Sequence, residues 1–397
     1  MKFRALEKDN KIREEITEVW KQSPSHVTIR NWTLKLGYYE LTRQKEKSGD
    51  WIILLDHSIQ FGKEKIFVVL GIREKDFLKL KRPLQYADLT TLLMANRDNW
   101  NGKLVSGELK KLETKIGRIN YAVGDYGSDL RKGLALSKIG HIHGLSHLIA
   151  LITEKLYKND DRFIGLKNKM GNMRAKYIQT DMAAAVPPKG RKKSEYQSFD
   201  KIIKWANAAS NLIENKLRDP GQTKILEGYF ETGTLDRIKK ELSWINDYSD
   251  LIDELTEISN ATKEVETELK HNGLSGFGFK KCKKTLNRLE SGKAKEFKDM
   301  LISRIGQQIQ ILPNTDKVLF SSDILESLFG KYKNRVSENP MASITTLMLI
   351  IAAFTIDLTE ERVKQSMEKI KMKDIKKWSR QSIGVSLFQK RKVLFAA

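Results

Sequence analysis

The 397-residue chain is long enough for two or three domains, and its 40% hydrophobic content is ordinary for a folded protein. It carries 72 basic against 50 acidic residues, a formal net charge of +22, which favours a polyanionic partner such as nucleic acid. Its single cysteine, Cys282, excludes a disulfide framework and a cysteine-based zinc site, and indicates a reducing compartment.

The N-terminal residues 1–45 are predicted to form two helices joined by a tight turn. Apolar residues recur at helical spacing over residues 10–22, and the Ser-Pro-Ser sequence at 23–25 supplies a break and an N-cap. A second helix is predicted over residues 26–36, ended by Gly37. Two helices in this arrangement resemble a helix-turn-helix, whose second helix enters the major groove of DNA.

In that interpretation the second helix of the module has one buried side and one side that faces DNA. The predicted buried residues are Val27, Trp32 and Leu34. The residues predicted to be free for DNA are Thr28, Arg30, Asn31 and Lys35. The alternative is a plain helical hairpin packed on the next domain.

Residues 46–159 change to strand-like periodicity and predict a mixed α/β domain. The predicted elements, in order, are strands over 51–61, 66–72 and 77–83, helices over 90–95 and 104–116, a strand ending at Asp125, a helix over 128–136, a strand over 139–143 and a helix over 145–157. The first two strands are joined by a short hairpin connection at residues 62–65.

Residues 160–315 are charged and predominantly helical, and they are too many for a loop inside a compact domain. We therefore interpret them as an inserted helical subdomain. Its predicted helices cover residues 202–217, 235–258, 265–271 and 294–310, and its loop-like stretches cover 185–193 and 273–278.

Residues 316–397 are predicted to be helical. Their most apolar stretch, 341–358, contains serine, threonine and Asp357, so it indicates a buried helix rather than a bilayer span, which needs about 20 predominantly apolar residues. The charged N-terminus indicates no signal peptide. We expect a soluble, cytoplasmic protein with no membrane partner.

Two aspartates end apolar runs that are predicted to be buried strands. Asp56 closes the run that begins at Trp51, and Asp125 closes the run that begins at Ile119. A charge at the end of a buried strand is costly unless it is paired or bound to metal. Divalent-metal phosphoryl transfer supplies a reason, because clustered acids can hold Mg²⁺ ions about 3.5–4 Å apart. Taken singly, Asp56 fits a turn or cap residue equally well.

With Glu326 as a third acid, the chain from about residue 23 onwards resembles the DDE transposases of bacterial insertion sequences, in the RNase H-like transposase and integrase superfamily. The sharpest parts are Asp-His-Ser-Ile-Gln-Phe-Gly at 56–62, residues 124–133, and the helical stretch around Glu326. In such enzymes the first acid lies on the first strand, the second follows the fourth strand, and a glutamate lies on a late helix. Asp56, Asp125 and Glu326 match these places, and the long interval before Glu326 matches members with an insertion domain. Taken alone, Glu326 is most simply a surface charge.

The resemblance also implies a lysine that contacts DNA. Some members place a lysine seven residues after the glutamate, which here is Lys333. Seven residues is nearly two helical turns, so Lys333 and Glu326 share a face of the helix. The same signature has an arginine and a tyrosine where this chain has Ser322 and Leu319, which leaves the subfamily open.

Asp129 is the alternative to Asp125 as the second acid. Asp125 is favoured because it ends the apolar run, whereas Asp129 would occupy the first turn of a helix, where a carboxylate interacts favourably with the helix dipole. His57, beside Asp56, is predicted to point to the opposite face of the strand and not to be a ligand.

Three histidines, His141, His143 and His147, raise the possibility of a zinc site. Their spacing crosses a strand and a helix with no cysteine nearby, so structural roles are favoured. His147 is predicted to orient the acidic site from behind Asp125.

Two basic segments are further candidates for DNA contact, although such segments are usually only solvated charge. The first is the loop 189–193, with Arg191, Lys192 and Lys193. The second is the C-terminal run 371–377, followed by the basic residues Arg380, Lys390, Arg391 and Lys392.

The sequence therefore predicts an α/β protein with an RNase H-like mixed-sheet catalytic domain, a large helical insertion, an N-terminal helix-turn-helix-like module and C-terminal helices. The predicted domains are 1–45, a core split between 46–159 and 316–397, and the insertion 160–315. The resemblance implies two Mg²⁺ or Mn²⁺ ions on Asp56, Asp125 and Glu326, cleavage at transposon ends, and strand transfer into target DNA.

The implied partner is double-stranded DNA, both terminal repeats and target, bound by a homodimer on paired ends in the bacterial nucleoid. One alternative is a catalytically inactive DNA-binding derivative of a transposase. Another is a structure-specific nuclease of the same fold, such as a junction resolvase. A purely structural helical protein would leave the two strand-end aspartates unexplained.

Overall fold

The computed structural model describes residues 24–61, 64–189, 199–214, 228–230, 233–290, 292–310, 317–334, 344–385 and 387–396. The predicted first helix at 10–22 and the basic residues Arg191, Lys192 and Lys193 lie outside the described residues. Contacts divide the chain into two units. The first comprises Met1–Gly144, Lys270–Gly273 and Ile311–Ala397, and the second comprises Leu145–Leu269 and Leu274–Gln310.

The first unit is built on a five-stranded mixed sheet. Its strands are β1 (Trp51–Phe61), β2 (Glu64–Arg73), β3 (Thr90–Arg97), β4 (Ile119–Gly124) and β5 (Gly140–His143), in the spatial order β3-β2-β1-β4-β5. β1 pairs antiparallel with β2, as β2 does with β3, whereas β1 with β4 and β4 with β5 are parallel. β1 is the central strand, and Trp51 to Leu55 are all buried, which explains their unbroken apolar run.

The helices surround this sheet in the first unit and make up the second unit. In chain order they are α1 (His26–Thr42), α2 (Glu74–Lys79), α3 (Gly102–Ile116), α4 (Ser128–Leu136), α5 (Leu145–Tyr157), α6 (Asp161–Tyr177), α7 (Phe199–Ile213), α8 (Thr234–Leu242), α9 (Ser249–Asn272), α10 (Gly276–Leu286), α11 (Gly292–Gln310), α12 (Asp323–Lys333), α13 (Leu349–Ala353), α14 (Glu360–Lys369), α15 (Met372–Ser382) and α16 (Leu387–Leu394). Helices α5 to α11 fall in the second unit, apart from the last residues of α9.

Two predictions for the core are wrong in the type of element: a predicted strand begins within a helix, and a predicted helix is a strand. The segment 77–83, predicted as a strand, begins within helix α2, which has Glu74 and Asp76 in its first turn and buries Phe77. The segment 90–95, predicted as a helix, is strand β3. There the hydrogen-bonded ladder with β2 outweighs a local pattern that also fits a helix.

The second unit contains two helices that the sequence pattern did not predict. α6 begins after Asp160, whose side chain accepts hydrogen bonds from the Arg162 and Phe163 amides. α10 begins inside the stretch 273–278 that was predicted to be a loop, and the Ser275 side chain caps it by accepting from the Gly278 amide. α5, placed in the core by the predicted range 46–159, groups with this unit.

α1 does not end at Gly37, contrary to the prediction. Ser25 caps its start through the Thr28 amide, as predicted, and the helix continues to Thr42. Gly37 is instead the point where α1 meets α13, because a Cβ there would collide with the backbone carbonyl oxygen of Leu349. A glycine inside a helix can therefore mark close packing rather than a terminus.

The buried side of α1 also differs in part from the prediction. Leu34 is buried against α13 and the C-terminal helices, as expected, and Trp32 is half-buried. Val27 is 46% exposed, because the first turn of α1 extends beyond that apolar cluster.

The apolar stretch near residue 350 forms the 3-10 turn Thr346–Met348 and the short buried helix α13. Among the helices of the described residues, none has both the length and the apolar character needed to cross a membrane.

Gly37→Ala should lower stability. The added methyl group overpacks the contact with α13, which typically costs about 1–3 kcal/mol and exceeds the helix-propensity gain. The matched control is Gly107→Ala in α3, where an added Cβ meets nothing within 4 Å. That substitution should stabilise the protein by about 0.5–1 kcal/mol. Urea unfolding of the two variants checks both signs, and two shifts of the same sign would contradict the packing interpretation.

Candidate functional site

Asp56 and Asp125 lie at neighbouring ends of two parallel strands. The β1–β4 ladder pairs Leu54 with Val123 and Leu55 with Gly124. One further step along that register sets Asp56 beside Asp125, which directly follows β4. Because parallel strands end at the same edge of a sheet, the register places the two aspartates at neighbouring positions on that edge.

The two aspartates also lie on the same face of the sheet. Ile53, Leu55 and Ala122 belong to the apolar cluster formed with α3 and α4. Side chains alternate along a strand, so Leu54 and Val123 are on the opposite face. Asp56 and Asp125 follow them by two residues and are therefore on that opposite face as well. The predicted pairing of these acids is therefore consistent with both the order and the pleat of the strands.

Each aspartate accepts a local backbone hydrogen bond. Asp56 Oδ1 accepts from the His57 amide at 2.5 Å, and Asp125 Oδ1 accepts from the Gly127 amide at 2.9 Å. These bonds fix the carboxylates near the strand ends. Oxygen donors of this kind are the ligands that Mg²⁺ and Mn²⁺ prefer, so the pair fits a divalent cation chemically.

Asp129 is engaged by His57 on the other side of the sheet. His57 Nε2 lies 3.2 Å from Asp129 Oδ2, and the His57 ring packs against Phe67 and Trp100 of the apolar cluster. The hydrogen bond from His57 holds the pKa of Asp129 below its usual value. Asp129 thus has a structural partner, which favours Asp125 as the second acid, although both carboxylates flank Gly127.

An imidazole stack that sequence reasoning did not connect with the acids lies beside Asp125. The rings of His141 and His143 stack with centroids 4.5 Å apart, and Tyr126 packs on His143. Burial lowers the pKa of His141 to about 4, with Asp125 only partly opposing that shift, so His141 is neutral at pH 7. Only the structure shows this neighbourhood, because the parallel pairing of β5 with β4 sets His141 opposite Ala122.

Helix α12, which carries Glu326, packs against β1. The segment leading into it is held by Tyr121, whose hydroxyl accepts a 2.8 Å hydrogen bond from the Leu319 amide. Tyr121 is two residues before Val123 on β4, so this segment lies over the face that bears the aspartates. The prediction that Glu326 lies in a helix is confirmed.

Glu326 is nonetheless solvent-exposed and does not close a three-acid site with the aspartates. In the part of the chain that the structure describes, no three His, Cys, Asp or Glu side chains form a group that could hold a metal ion. Asp56 and Asp125 could supply two of the three predicted metal ligands. Glu326, the third predicted ligand, does not join them in such a group.

Lys333 and Glu326 are both exposed, while Leu325, Leu328 and Phe329 of the same helix are buried. The two charged residues therefore share the outer face of α12, seven residues apart. The DNA-binding role of Lys333 stays a prediction.

The remaining residues predicted for DNA binding have different surroundings. Arg30 is exposed and Asn31 is half-buried on α1. Lys35 donates a 3.0 Å hydrogen bond to the Met367 carbonyl, so its ammonium contributes to packing. His147 lies in α5, which belongs to the second unit, and its role in the site stays a prediction.

The comparisons with known proteins do not assign a family. No protein-family model matches the chain, and no curated protein matches its sequence. Among solved structures, the chain is similar to the Drosophila P element transposase strand transfer complex, with a TM-score of 0.41 and 11% identity over 91% of each chain. A likeness at this TM-score does not assign a function to the chain.

Tyr121→Phe should destabilise the segment that carries Glu326. Removing the hydroxyl leaves the buried Leu319 amide unsatisfied, at a cost of about 1–3 kcal/mol. Tyr332→Phe in α12 is the matched control, because its buried hydroxyl has no hydrogen-bond partner among the described residues. That change should be neutral or stabilising. Urea unfolding and hydrogen exchange at Leu319 check this, and equal losses in the two variants would contradict it.

Proposed function

We propose that this protein is a DDE-type DNA transposase, which cleaves DNA at transposon ends and transfers the freed strand into target DNA. The observation that carries the proposal is the position of Asp56 and Asp125 at adjacent ends of two parallel strands, on one face of the sheet. The strand order, an antiparallel meander extended by parallel strands, supports an RNase H-like domain.

The residues of the site would have two roles, metal binding and phosphate binding. Asp56 and Asp125 would hold the metal ion, and Glu326 would complete the ligand set. This role requires Glu326 to move towards the aspartates, because it lies outside any three-acid group among the described residues. When bound, Mg²⁺ or Mn²⁺ would lower the pKa of a water molecule and stabilise charge on the scissile phosphate, and two ions are expected in such sites.

The reaction proposed is two in-line displacements at phosphorus. Water attacks the phosphodiester at the end of the element, and the resulting 3′-hydroxyl attacks a phosphodiester of the target. The leaving group in each step is the 3′-oxygen of the cleaved strand. Lys333 would contact the phosphate of the strand being cut, since it shares the outer face of α12 with Glu326. No covalent enzyme intermediate is needed.

The proposed partner is double-stranded DNA, both terminal repeats and target, bound by a homodimer that holds two ends. The net charge of +22 supports such a partner through phosphate neutralisation. The helix-turn-helix role of α1 stays a proposal, with Arg30 as its exposed contact residue.

A catalytically inactive DNA-binding derivative is the second candidate. It is favoured by the exposed position of Glu326 outside any three-acid group in the described residues. Cleavage of DNA that carries the flanking repeats separates the two candidates. Nicking without joined products would instead point to a structure-specific nuclease.

Asp56→Ala and Asp125→Ala should each abolish Mg²⁺-dependent cleavage of a duplex that contains the DNA flanking the coding region. Loss of metal-based charge stabilisation, worth several kcal/mol, corresponds to a rate reduction of at least about 100-fold. DNA affinity should survive, and EDTA should abolish cleavage by the unchanged protein.

Asp129→Ala is the control for these variants, since its carboxylate is paired with His57. It should lower the melting temperature and leave cleavage within about threefold. Cleavage that persists in the Asp56 and Asp125 variants would overturn the assignment. Loss of cleavage in Asp129→Ala alone would exchange the roles of Asp125 and Asp129.

Lys333→Ala should slow strand cutting more than it weakens DNA binding, because its contact is proposed to be with the scissile phosphate. We expect about a tenfold lower cleavage rate at saturating DNA, an effect of about 1.4 kcal/mol. Lys331→Ala on the same helix is the control, since the Lys331 ammonium lies 4.1 Å from the centre of the Tyr86 ring. Equal losses of rate and affinity in Lys333→Ala would assign that residue to general backbone contact.

A further inference from the structure

The helix α10, in the second unit, has one buried side and one strongly basic side. Its buried residues are Gly278, Cys282 and Leu286, which recur every four residues and form one stripe. The opposite side is exposed to solvent.

The charge on this side is of one sign. Residues 274–289 contain no acid and five basic residues: Lys280, Lys281, Lys283, Lys284 and Arg288. The preceding residues 249–269, in α9, contain seven acids and one lysine. Solvated helices usually mix the two signs, so this separation indicates a partner for the basic side.

Two of the five cations are held by acids of α9, and three are not. Lys281 lies 3.4 Å from Glu268, and Arg288 lies 3.0 Å from Glu264. Lys280, Lys283 and Lys284 form no ion pair within the described residues. Lys280 and Lys284 are one helical turn apart, so they form a row along the helix.

An aromatic ring is exposed at the start of the same side. Phe277 is 69% exposed, although it is a large apolar side chain. The Lys281 ammonium lies 4.9 Å from the centre of its ring. An exposed aromatic ring among cations is typical of nucleic-acid-binding surfaces, where rings contact sugars or bases and cations neutralise phosphates.

We propose that this surface, formed by Phe277, Lys280, Lys281, Lys283 and Lys284 and called the α10 face, binds the phosphate backbone of double-stranded DNA. Binding is independent of base sequence, because lysines that contact phosphates read charge and position only. The inference rests on the proposed function in that DNA is the substrate. It adds a DNA surface in the second unit, distinct from the acidic residues of the first.

The test compares two triple variants of the full-length protein with the same change in net charge. The first is Lys280→Glu, Lys283→Glu and Lys284→Glu, on the α10 face. The control is Lys169→Glu, Lys201→Glu and Lys240→Glu, three exposed lysines on three other helices of the second unit. Affinity for a random-sequence 30-base-pair duplex is measured by fluorescence anisotropy from low to moderate salt.

The α10-face variant should bind at least about tenfold more weakly near 0.1 M salt. The slope of log affinity against log salt should fall by about 2–3, because each lost phosphate contact removes about 0.9. The control should stay within about threefold of the unchanged protein, with the same slope. Equal losses in the two triples would overturn the proposal, and so would an unchanged affinity in the first.

Further variants guard against misfolding. Circular dichroism and thermal melting check each triple, and the milder Lys→Gln triple on the α10 face should show a smaller loss with the same change of slope. Phe277→Ala should weaken binding about threefold or more, whereas Phe277→Tyr should retain it. A Gln triple that folds normally and binds as tightly as the unchanged protein would overturn the proposal.

A second copy of the chain is the competing partner, since the acids of α9 complement the basic α10 face. Sedimentation of DNA-free protein tests this, and a changed oligomeric state with unchanged DNA affinity in the first triple would overturn the DNA assignment. The outcome is also separable from that of the proposed function. If cleavage depends on Asp56 but the α10-face variant binds DNA normally, this inference is wrong and the proposed function still stands.

Discussion

The close approach of β1 and β4 is the constraint on which the candidate site depends. A Cβ at Gly124 would lie 2.8 Å from the Leu55 carbonyl oxygen, so only glycine allows the two strands to pair so closely at this end. That pairing fixes the register, and the register sets Asp56 beside Asp125. The same pairing continues to β5, which brings His141 near the second aspartate. The acidic site is therefore a consequence of strand geometry rather than of a local motif.

Two carboxylates on one face create a negative spot in a protein whose overall charge is strongly positive. The neutral His141 offers no compensating charge at pH 7, and His57 is committed to Asp129. A divalent cation at this position would neutralise the carboxylates, and the net positive charge would favour a polyanionic partner. The two electrostatic features act at different ranges. In the proposed function, long-range attraction would bring DNA to the protein, and the acidic pair would act at short range on a bound cation.

Much of the architecture was predictable, because burial leaves a direct trace in the sequence. The apolar run from Trp51 predicted the central strand β1, and the position of Asp125 at a strand end predicted its neighbour. The strand β3 was not predictable, because its ladder with β2 is a tertiary contact that overrides a weak local pattern. The place of Glu326 relative to the aspartates depends on the packing of α12 across the sheet, which neither periodicity nor spacing encodes. The role of Gly37 was likewise not predictable from the sequence, because it depends on the close approach of the α13 backbone.

The close packing of α1 on α13 has a consequence for any reading of base sequence by this helix. α1 contacts α13, α14 and α15 along its length, and Lys35 is anchored to the backbone at Met367. A helix held in this way cannot tilt or slide independently to accommodate a groove, so the duplex itself would have to bend or widen to meet it. Recognition through α1 would then depend on the mechanical compliance of the nucleic acid, and stiff tracts would be disfavoured even where their bases match.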